Sequence, residues 1–486
     1  MLSPSLLESR FNALSPRLNR PPVTATTVLL HGGALLLLLL LIVEAWMQKG
    51  IFAWSVGLTY IAYDTALLAF VGIKTLPLRH ARATAASTQH RPTLAVLIAA
   101  RNEAPVLAAT VAALAAQSDP PDIVLIADDG STDATSVVMA QAFGITKPPP
   151  FGTTAASPKV SLLRWLLLEH GGKARALNAA LAETDCEIVL TVDADTILAP
   201  DAIEAMRAAF EREPELVAAT GLLAPICDRS LSGRLFQWFQ TYEYVRNFIS
   251  RYAWMRVDGL LLISGAFAGF RRDAVTTVGG FDPECMVEDY ELIHRLHRWS
   301  VDHDLGWTIR VVGEARAQTD APGHTIAFLR QRRRWFGGFL QTQYWNRDMV
   351  GNPRFGRLGT MMLPVKAFDT VQPLYGLAAF VLLLLFVATG RVSLIGPILI
   401  VMAAKIAIDL AFHFWSISLY QRWSGGMLAK GWSRIILASL IEPFSFQILR
   451  HIGAAWGWMA FLTGRSTWGK ARRGGILSRR DAEFSA

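Results

Sequence analysis

The feature that most constrains this chain is a pair of long apolar segments close to its start, Thr27–Met47 and Ile51–Ile73. Only Gln48, Lys49 and Gly50 separate them. A helix needs about 20 apolar residues to cross about 30 Å of hydrocarbon, and each segment meets that length. The sequence therefore predicts a hairpin of two membrane-spanning helices.

Basic residues flank this hairpin on both sides, with Arg10, Arg17 and Arg20 before it and Lys74, Arg79 and Arg82 after it. Lys and Arg accumulate on the cytoplasmic side of membrane proteins, so both ends of the hairpin are expected in the cytoplasm. The length of the first segment, the missing cleavage site and the second span directly behind it argue against a signal peptide. We expect a multi-pass integral protein of the cell inner (plasma) membrane.

Composition and later apolar segments support this expectation. Of the 486 residues, 52% are hydrophobic and 18% are charged, which is too apolar for an ordinary soluble enzyme of this size. Pro373–Gly390 and Ser393–Tyr420 predict a second hairpin, whereas Ile435–Gly464 is interrupted by charges and a proline and predicts two short membrane-dipping helices or one broken span. The net charge of +8 predicts contact with anionic membrane lipids and no nucleic-acid binding.

Between the two hairpins, the chain has the pattern of an α/β domain. Apolar runs in TLAVLIAA, DIVLIADD and CEIVLTVD each pass through a polar turn into a helical repeat. This alternation predicts a mostly parallel sheet that binds ligands beyond the carboxyl ends of its strands. We expect a tail and hairpin over residues 1–90, a Rossmann-like cytoplasmic domain over 91–357, membrane and interfacial helices over 358–464, and a basic cytoplasmic tail over 465–486.

Aspartates cluster at the ends of two predicted strands: Asp128 and Asp129 close one, and Asp193 and Asp195 close another. Such carboxylates are costly to bury unless a cation or hydrogen-bond donors meet them, and a divalent metal with a nucleotide diphosphate would do so. Lys173, in the segment GGKARALNAAL, adds a cation beside a flexible glycine pair. A single Asp-x-Asp is most often a solvated loop. The adjacent aspartates, the lysine segment and the Asp-x-Asp, in this order and each at a predicted strand end or turn, together favour nucleotide-sugar binding.

A further acidic pair, Glu288 and Asp289, opens a predicted amphipathic helix. Acidic residues in the first turn also interact favourably with the helix dipole and so stabilise the helix, and this structural role is compatible with a catalytic one. A carboxylate held in a cleft can accept a proton from an attacking hydroxyl, so Asp289 is the predicted general base. Glu288 is then its neighbour or its support.

The stretch QRRRWFGGFL is either the basic flank of a membrane segment or part of a site. Arginine pairs with phosphate oxygens through a planar fork, so an arginine of this stretch could neutralise a diphosphate leaving group. Trp335 offers a flat apolar face for a sugar ring of the acceptor.

The ordered succession RNE, DDGST, KARALN, DAD, VED and QRRRW, with membrane helices on both sides, resembles the family 2 inverting membrane glycosyltransferases. That group includes cellulose, hyaluronan and poly-N-acetylglucosamine synthases. The resemblance covers Leu94 to Leu340 and implies a GT-A-like fold, a UDP-sugar donor and Mg²⁺ or Mn²⁺.

The resemblance also implies a role for each matching residue. Asp128 and Asp129 match the pair near the nucleotide base and ribose, and Lys173 matches a residue facing the diphosphate. Asp193 and Asp195 match the metal and diphosphate motif, and Asp289 matches the base. Gln331, Arg334 and Trp335 match the Q-x-x-R-W motif, in which the resemblance makes Arg334 the arginine that meets the diphosphate. Arg332 and Arg333 fall outside this motif and are interpreted as the plain membrane flank.

Three functions stay open at this point. The first is processive synthesis of a β-linked polysaccharide, exported through the protein's own helices with export partners unknown; the Q-x-x-R-W motif favours it. The second is transfer of a single sugar to a lipid or polyprenyl-phosphate-linked acceptor. The third is a transporter whose soluble domain only binds nucleotide. The segment LPVKAFDTV lacks the gating pattern F-x-V-T-x-K-G and no second-messenger domain is expected, so a cellulose synthase proper is not predicted.

Two helices carry polar residues that the sequence leaves ambiguous. Lys405, Asp409 and His413 recur at four-residue spacing in an apolar segment and therefore share one helix face. Ionisable residues at membrane depth turn to a bundle interior or a wet cavity, so this stripe is either an ion pair, with Asp64 as a further partner, or the lining of a polysaccharide path. The segment Phe236–Trp254 fits a membrane-surface helix and a buried domain helix equally.

Overall fold

A computed structural model describes residues 4–80, 91–426, 437, 438 and 440–464. The tail expected over 465–486 lies outside these residues, as do the last ten residues of the first expected unit. The strands are β1 Leu94–Ala100, β2 Ile123–Asp129, β3 Leu163–Leu168, β4 Ile188–Val192, β5 Thr196–Leu198, β6 Leu216–Ile226, β7 Phe267–Arg271 and β8 Thr308–Asp320.

All of these strands belong to one eight-stranded sheet in the order β3-β2-β1-β4-β7-β6-β8-β5. The first half, β3-β2-β1-β4, is parallel, which confirms the expected α/β architecture. In the second half, β7 runs antiparallel to β4 and β6, and β5 runs antiparallel to β8. Because β1, β2 and β4 point the same way, their carboxyl ends meet at one edge of the sheet.

The helices cover both faces of the sheet and extend from it. They are α1 Pro4–Leu14, α2 Ala25–Met47, α3 Ser55–Lys74, α4 Ala104–Ala115, α5 Thr135–Phe143, α6 Lys173–Ala182, α7 Ala202–Arg212, α8 Leu231–Met255, α9 Arg272–Thr277, α10 Glu288–Asp302, α11 Thr325–Trp345, α12 Leu363–Ala388, α13 Ile395–Trp423 and α14 Phe446–Leu462. Short 3-10 turns lie at Gly50–Trp54, Leu76–His80, Arg347–Met349, Pro353–Phe355, Val392–Leu394 and Glu442–Phe444, and a π-helical turn lies at Leu358–Met362.

The central strands are apolar along their whole length because helices cover both of their faces. Every residue of β4 is buried, and β1 is buried except at Ala99. Such strands show no alternation in their sequence, in agreement with the continuous apolar runs. The turn after β1 leads into α4, where Pro105 occupies the first turn and its fixed φ suits a helix start.

Four helices in the described residues are long and apolar enough to cross a membrane: Ala25–Met47, Gly50–Lys74, Leu358–Ala388 and Val392–Trp423. The chain is a membrane protein built around an α/β sheet. The sequence prediction for the third helix was wrong at its start, because Pro373 lies inside α12 and the helical segment begins at Leu358. The helix therefore reaches well beyond the apolar run.

Helix α8 contains Phe236–Trp254, for which the sequence fitted a membrane-surface helix and a buried domain helix equally. The helix contacts both the sheet and the candidate membrane helices. It packs against β6 and β8 of the sheet and against α3 and α13 of the membrane helices. The rings of Phe70 on α3 and Trp254 on α8 lie 4.6 Å apart. Because one helix touches both units, the sheet is fastened directly to the membrane helices.

In the ambiguous segment Ile435–Gly464, the described residues include α14, which packs against α11. Gly453 and Gly457 make this close approach possible: a Cβ atom on Gly453 would lie 2.5 Å from Cβ of Arg332, and one on Gly457 would lie 2.9 Å from the backbone N of Gly337. Small residues four apart let two helix backbones approach closely. The segment thus braces the helix that carries QRRRW.

The polar stripe of α13 forms an ion-pair cluster. Lys405 Nζ lies 2.6 Å from Asp64 Oδ2 on α3 and also pairs with Asp409. Lys405 and His413 are buried. These contacts are those of the ion-pair alternative, with Asp64 as the further partner. Two carboxylates compensate the charge of one buried ammonium.

The segment before the first membrane helix binds the α/β unit. Arg17 donates to both carboxylate oxygens of Asp282, at 2.9 and 3.1 Å, and Asp282 is fully buried. Arg10 donates to the carbonyl of Thr276 at 3.1 Å. These contacts fix the loop that leads into α10, where Glu288 and Asp289 lie.

Candidate active site

The carboxyl edge of the sheet brings the predicted acidic motifs together. Asp128 and Asp129 end β2, and both are buried. Asp193 follows β4 at the start of a turn in which Thr196 N donates to the Asp193 carbonyl at 2.9 Å. Thr196 then begins β5, which pairs with β8. Asp195 therefore lies in the short turn between β4 and β5, and the pairing of β5 with β8 fixes the end of that turn. Asp195 is buried, whereas the Asp193 side chain is 33% exposed.

Lys173 joins this edge to the start of α10. Its Nζ lies 2.7 Å from Asp193 Oδ1 and 3.1 Å from Glu288 Oε1. Burial by itself would lower the pKa of Lys173, but the carboxylates of Asp193 and Glu288 outweigh it and raise that pKa. The ammonium is therefore a permanent charge at the centre of the cleft.

Asp289 is held by backbone donors. Its Oδ2 accepts from Gly265 N at 2.7 Å and its Oδ1 from Tyr290 N at 2.8 Å. A Cβ atom on Gly265 would lie 3.0 Å from Asp289 Oδ2, so a glycine suits this close approach. Burial raises the pKa of Asp289, the charge of Glu288 raises it further, and Lys173 opposes them. A carboxylate with a raised pKa accepts a proton more readily than an ordinary aspartate.

Asp129 organises a second set of contacts that the sequence did not predict. Its Oδ1 accepts from the backbone N of Gly171 and Gly172, at 2.6 and 3.0 Å, and its Oδ2 lies 2.8 Å from His170 Nδ1. Arg101 lies 2.7 Å from the other ring nitrogen of His170. Because arginine only donates, His170 Nε2 accepts and Nδ1 donates to Asp129. The only sequence signal was a histidine directly before GGK.

The turn after β1 also contributes more than the sequence indicated. Asn102 has a positive φ of 58°, and its Oδ1 accepts from Thr132 N at 2.8 Å and Asp133 N at 3.2 Å. Asp128 Oδ1 accepts from Ser131 N at 2.8 Å. The RNE motif thus binds the DDGST loop and shapes the place where Asp128 lies.

The QRRRW motif lies in the middle of α11, next to the acidic pair of α10. An Nη1 of Arg334 donates to the carbonyl of Met286 at 3.1 Å. A Cβ atom on Gly338 would lie 2.6 Å from a methyl carbon of Val287, so α11 approaches the VED motif closely. Gln331 Oε1 is buried and has no hydrogen-bond partner in the described part of the chain. The motif therefore lies directly beside the VED motif.

A model of the glycosyltransferase-like family 2 matches residues 91–338. The chain belongs to this family. The match covers the sheet, the acidic motifs and most of α11, in agreement with the resemblance of the motifs.

Named relatives of this family 2 glycosyltransferase differ in what they make. A β-monoglucosyldiacylglycerol synthase of Nostoc sp. is 28% identical over 320 residues, 63% of this chain and 61% of that protein. A poly-β-1,6-N-acetyl-D-glucosamine synthase of Staphylococcus epidermidis is 26% identical over 288 residues, 59% of this chain and 61% of that protein. The chain spans about three fifths of the length of these curated relatives.

The fold of the family 2 chain is similar to that of a mannosyltransferase from Pyrobaculum calidifontis, whose structure was solved in complex with GDP-Man and Mn²⁺. The TM-score is 0.53 and the identity 19%, and the similarity covers 80% of this chain and 99% of the other. This likeness confirms a GT-A-like fold.

The interpretation of Arg332 as plain membrane flank was wrong. Arg332 is buried, donates to Glu243 Oε2 at 2.7 Å and lies 4.3 Å from the ring centroid of Trp335. Arg333 lies over the ring of Trp456 on α14, at 5.1 Å. Successive residues of an α-helix are rotated by about 100° around its axis, so neighbouring arginines meet different surroundings.

Arg251 of α8 is a further buried charge of this family 2 chain that the sequence had not singled out. Its Nε and Nη1 are buried and have no hydrogen-bond partner among the described residues. Burial lowers the pKa of Arg251 to about 10, against the attraction of Asp289. The nearby Arg246, Arg332 and Arg450 all pair with glutamates. The Arg251 guanidinium instead lies over the ring of Phe248, 4.6 Å from its centroid.

The carboxylates of Asp193 and Asp195 are hard oxygen donors, as Mg²⁺ and Mn²⁺ require. No group of three or more His, Cys, Asp or Glu within the described ranges is arranged to hold a metal ion. Two protein carboxylates fit a metal that keeps other ligands from water or from the phosphates of a substrate. The residues therefore fit a metal that arrives with a nucleotide.

Proposed function

We propose that this family 2 chain transfers a sugar from a UDP-sugar, with inversion, to a growing β-linked polysaccharide. The observation that carries the proposal is the Lys173 contact to both Asp193 and Glu288, because it joins the strand edge to the start of the helix that holds Asp289. A donor bound at the edge would present its anomeric carbon to a base at that helix start.

On the donor side, Asp128 and Asp129 would lie near the nucleotide base and ribose, in the loop that Asn102 and His170 hold. Lys173 would face the diphosphate. Asp193 and Asp195 would hold Mg²⁺ or Mn²⁺, which supplies positive charge against the diphosphate. The Mn²⁺ and GDP-Man of the Pyrobaculum structure support a divalent metal and a nucleotide-sugar donor.

In the transfer step, an acceptor hydroxyl oxygen attacks the anomeric carbon and Asp289 takes the hydroxyl proton. The bond from the anomeric carbon to the phosphate oxygen breaks, and UDP leaves with the electron pair. A single displacement of this kind inverts the anomeric centre. The raised pKa of Asp289, due to burial and then to Glu288, suits a base that must hold this proton.

Arg334 would stabilise the charge that develops on UDP, and Gln331 would support it from the preceding helical turn. A planar guanidinium suits phosphate oxygens because it donates two parallel hydrogen bonds. Trp335 would stack on a sugar ring of the acceptor, with Arg332 fixing its ring from one side.

Two acceptor classes fit the relatives: a polysaccharide, and a lipid or polyprenyl-phosphate-linked acceptor that receives a single sugar. The Q-x-x-R-W motif favours the polysaccharide. The polymer would cross the membrane through the chain's own helices, with the catalytic unit on the cytoplasmic side of the inner membrane. The basic flanks of the first hairpin support that orientation.

The test uses the purified full chain in lipid nanodiscs with Mn²⁺ and a panel of UDP-sugars plus GDP-Man. Release of UDP from one donor, with a product longer than a few sugars by mass spectrometry, supports the proposal. A lipid carrying one sugar supports the alternative acceptor. No nucleotide release from any donor, with UDP still bound, contradicts transfer and favours a domain that only binds nucleotide.

A further inference from the structure

A groove lies between two of the candidate membrane helices, and none of the residues that line it is proposed for catalysis. Helices α3 and α13 run side by side and are joined at two levels. At one level Lys405 pairs with Asp64, and at the other Trp415 Nε1 donates to Thr75 Oγ1 at 3.2 Å. Between these joints the helices leave a cavity of about 470 Å³.

Small side chains account for the space. Ala69, Gly72 and Ala411 face the groove, and a Cβ atom on Gly72 would meet nothing within 4 Å. The remaining wall is formed by larger residues that are apolar except for one hydroxyl: Thr65, Leu68, Ile73, Leu76, Ile408, Phe412 and Trp415. A volume of this size lies within the range of small-molecule sites, about 300–1,000 Å³.

The occupant follows from where the groove lies. Both of its walls are helices long and apolar enough to cross a membrane. A groove between such helices opens to hydrocarbon, and an apolar wall satisfies an acyl chain while offering almost nothing to a polar ligand. The tail of a bilayer lipid is therefore the chemistry that fills it.

One end of the groove carries positive charge. Arg79 follows α3 and is exposed, and its guanidinium carbon lies 4.2 Å from the ring centroid of Trp415, which also lines the groove. Lys74 lies in the last turn of α3. No carboxylate of the described residues forms a salt bridge with Arg79. Tryptophan and basic residues mark the headgroup level of a bilayer, and arginine binds phosphate.

We propose that this groove binds an anionic glycerophospholipid of the surrounding membrane, with an acyl chain along α3 and α13 and its phosphate at Arg79. The site is independent of the donor and acceptor sites proposed above. Its lipid would fill the gap between the two helices and would thereby stabilise the membrane bundle.

The test is native mass spectrometry of the purified full chain in detergent, titrated with phosphatidylglycerol or with phosphatidylcholine of the same acyl chains. Wild-type protein is expected to prefer phosphatidylglycerol by about five-fold, the effect of about one basic residue at a membrane surface. Arg79→Gln should remove this preference. Arg20→Gln, at an exposed basic residue before the first hairpin, is the matched control and should keep it.

A second pair of variants tests the groove itself. Gly72→Leu places bulk in the groove and should lower the binding of both lipids, whereas Gly32→Leu on α2, where a Cβ also meets nothing within 4 Å, should not. Equal binding of the two lipids to wild-type protein overturns the proposal. Unchanged phosphatidylglycerol binding in Gly72→Leu does so as well. Neither readout depends on sugar transfer, so the outcome is separate from that of the proposed function.

Discussion

Lys173 Nζ lies 3.1 Å from Glu288 Oε1, although 115 positions separate the two residues in the sequence. The contact brings the strand-edge motif of the sheet into the same cleft as the helix start that carries Asp289. A donor and a base can act on one carbon only if these two parts of the chain meet, so this contact is the basis for the predictions on catalysis.

Replacing Asp289 by Asn should abolish transfer while the affinity for UDP stays unchanged. The amide cannot take the hydroxyl proton but keeps nearly the same volume, and loss of a general base costs about 10²–10⁴-fold in rate. UDP binding by calorimetry and UDP release under turnover measure the two properties. Asp273→Asn, at an exposed carboxylate of α9, is the control and should behave as wild type. Transfer near the wild-type rate in Asp289→Asn would remove it from the role.

The pH profile of transfer should report the raised pKa of Asp289. The base works only when ionised, so the rate should fall on acidification at a pH above the ordinary aspartate range. After burial, the charge of Glu288 is the next cause of this shift. Glu288→Gln should therefore move the acid limb of kcat/KM to lower pH, and an unmoved limb would contradict the coupling.

Two neighbouring arginines should respond differently to substitution. Arg334→Lys should lower kcat at least ten-fold without changing Tm, because lysine keeps the charge but loses the planar fork. Arg332→Ala should instead lower Tm, since Glu243 would be left buried without its closest partner, a loss of about 3–5 kcal/mol for buried pairs. Kinetics and thermal unfolding on both variants check this, and equal effects of the two would contradict the separate roles.

Metal binding should depend on the aspartates that follow β4. Asp195→Ala should weaken UDP binding in the presence of Mn²⁺ and leave metal-free binding nearly unchanged, because it removes a metal ligand. Calorimetry with Mn²⁺ and with EDTA measures both. If wild-type protein binds UDP equally well in the two conditions, the metal assignment is wrong.

The charge cluster between α3 and α13 should act on stability before it acts on the product. Asp64→Asn together with Asp409→Asn leaves Lys405 buried and unpaired, so expression and Tm should fall by more than the sum of the single variants. Polymer length in the surviving protein should match wild type. Normal stability with shortened polymer would instead favour a lining of the export path.

The family and the local chemistry could be predicted from the sequence because they depend on short-range patterns. Apolar runs of membrane length, buried parallel strands and acidic residues at strand ends all reflect the surroundings of consecutive residues. The order of the motifs then placed Asp128, Asp193 and Asp289 in one expected cleft. The parallel half of the sheet brings the carboxyl ends of β2 and β4, where Asp128 and Asp193 lie, to one edge, and the Lys173 contact with Glu288 brings the start of α10 to the same edge.

What the sequence could not decide were contacts between distant segments. The antiparallel β7, the Asp129 contacts with His170 and Gly171, and the unpaired donors of Arg251 all depend on how helices and strands pack. Arg332 shows the reason most clearly. A run of three arginines looks uniform in sequence, but rotation around α11 turns Arg332 to the buried Glu243 and Arg334 to the Met286 carbonyl before the VED motif. Only the tertiary structure assigns each charge its partner, because electrostatic and packing energies depend on distance in space and not along the chain.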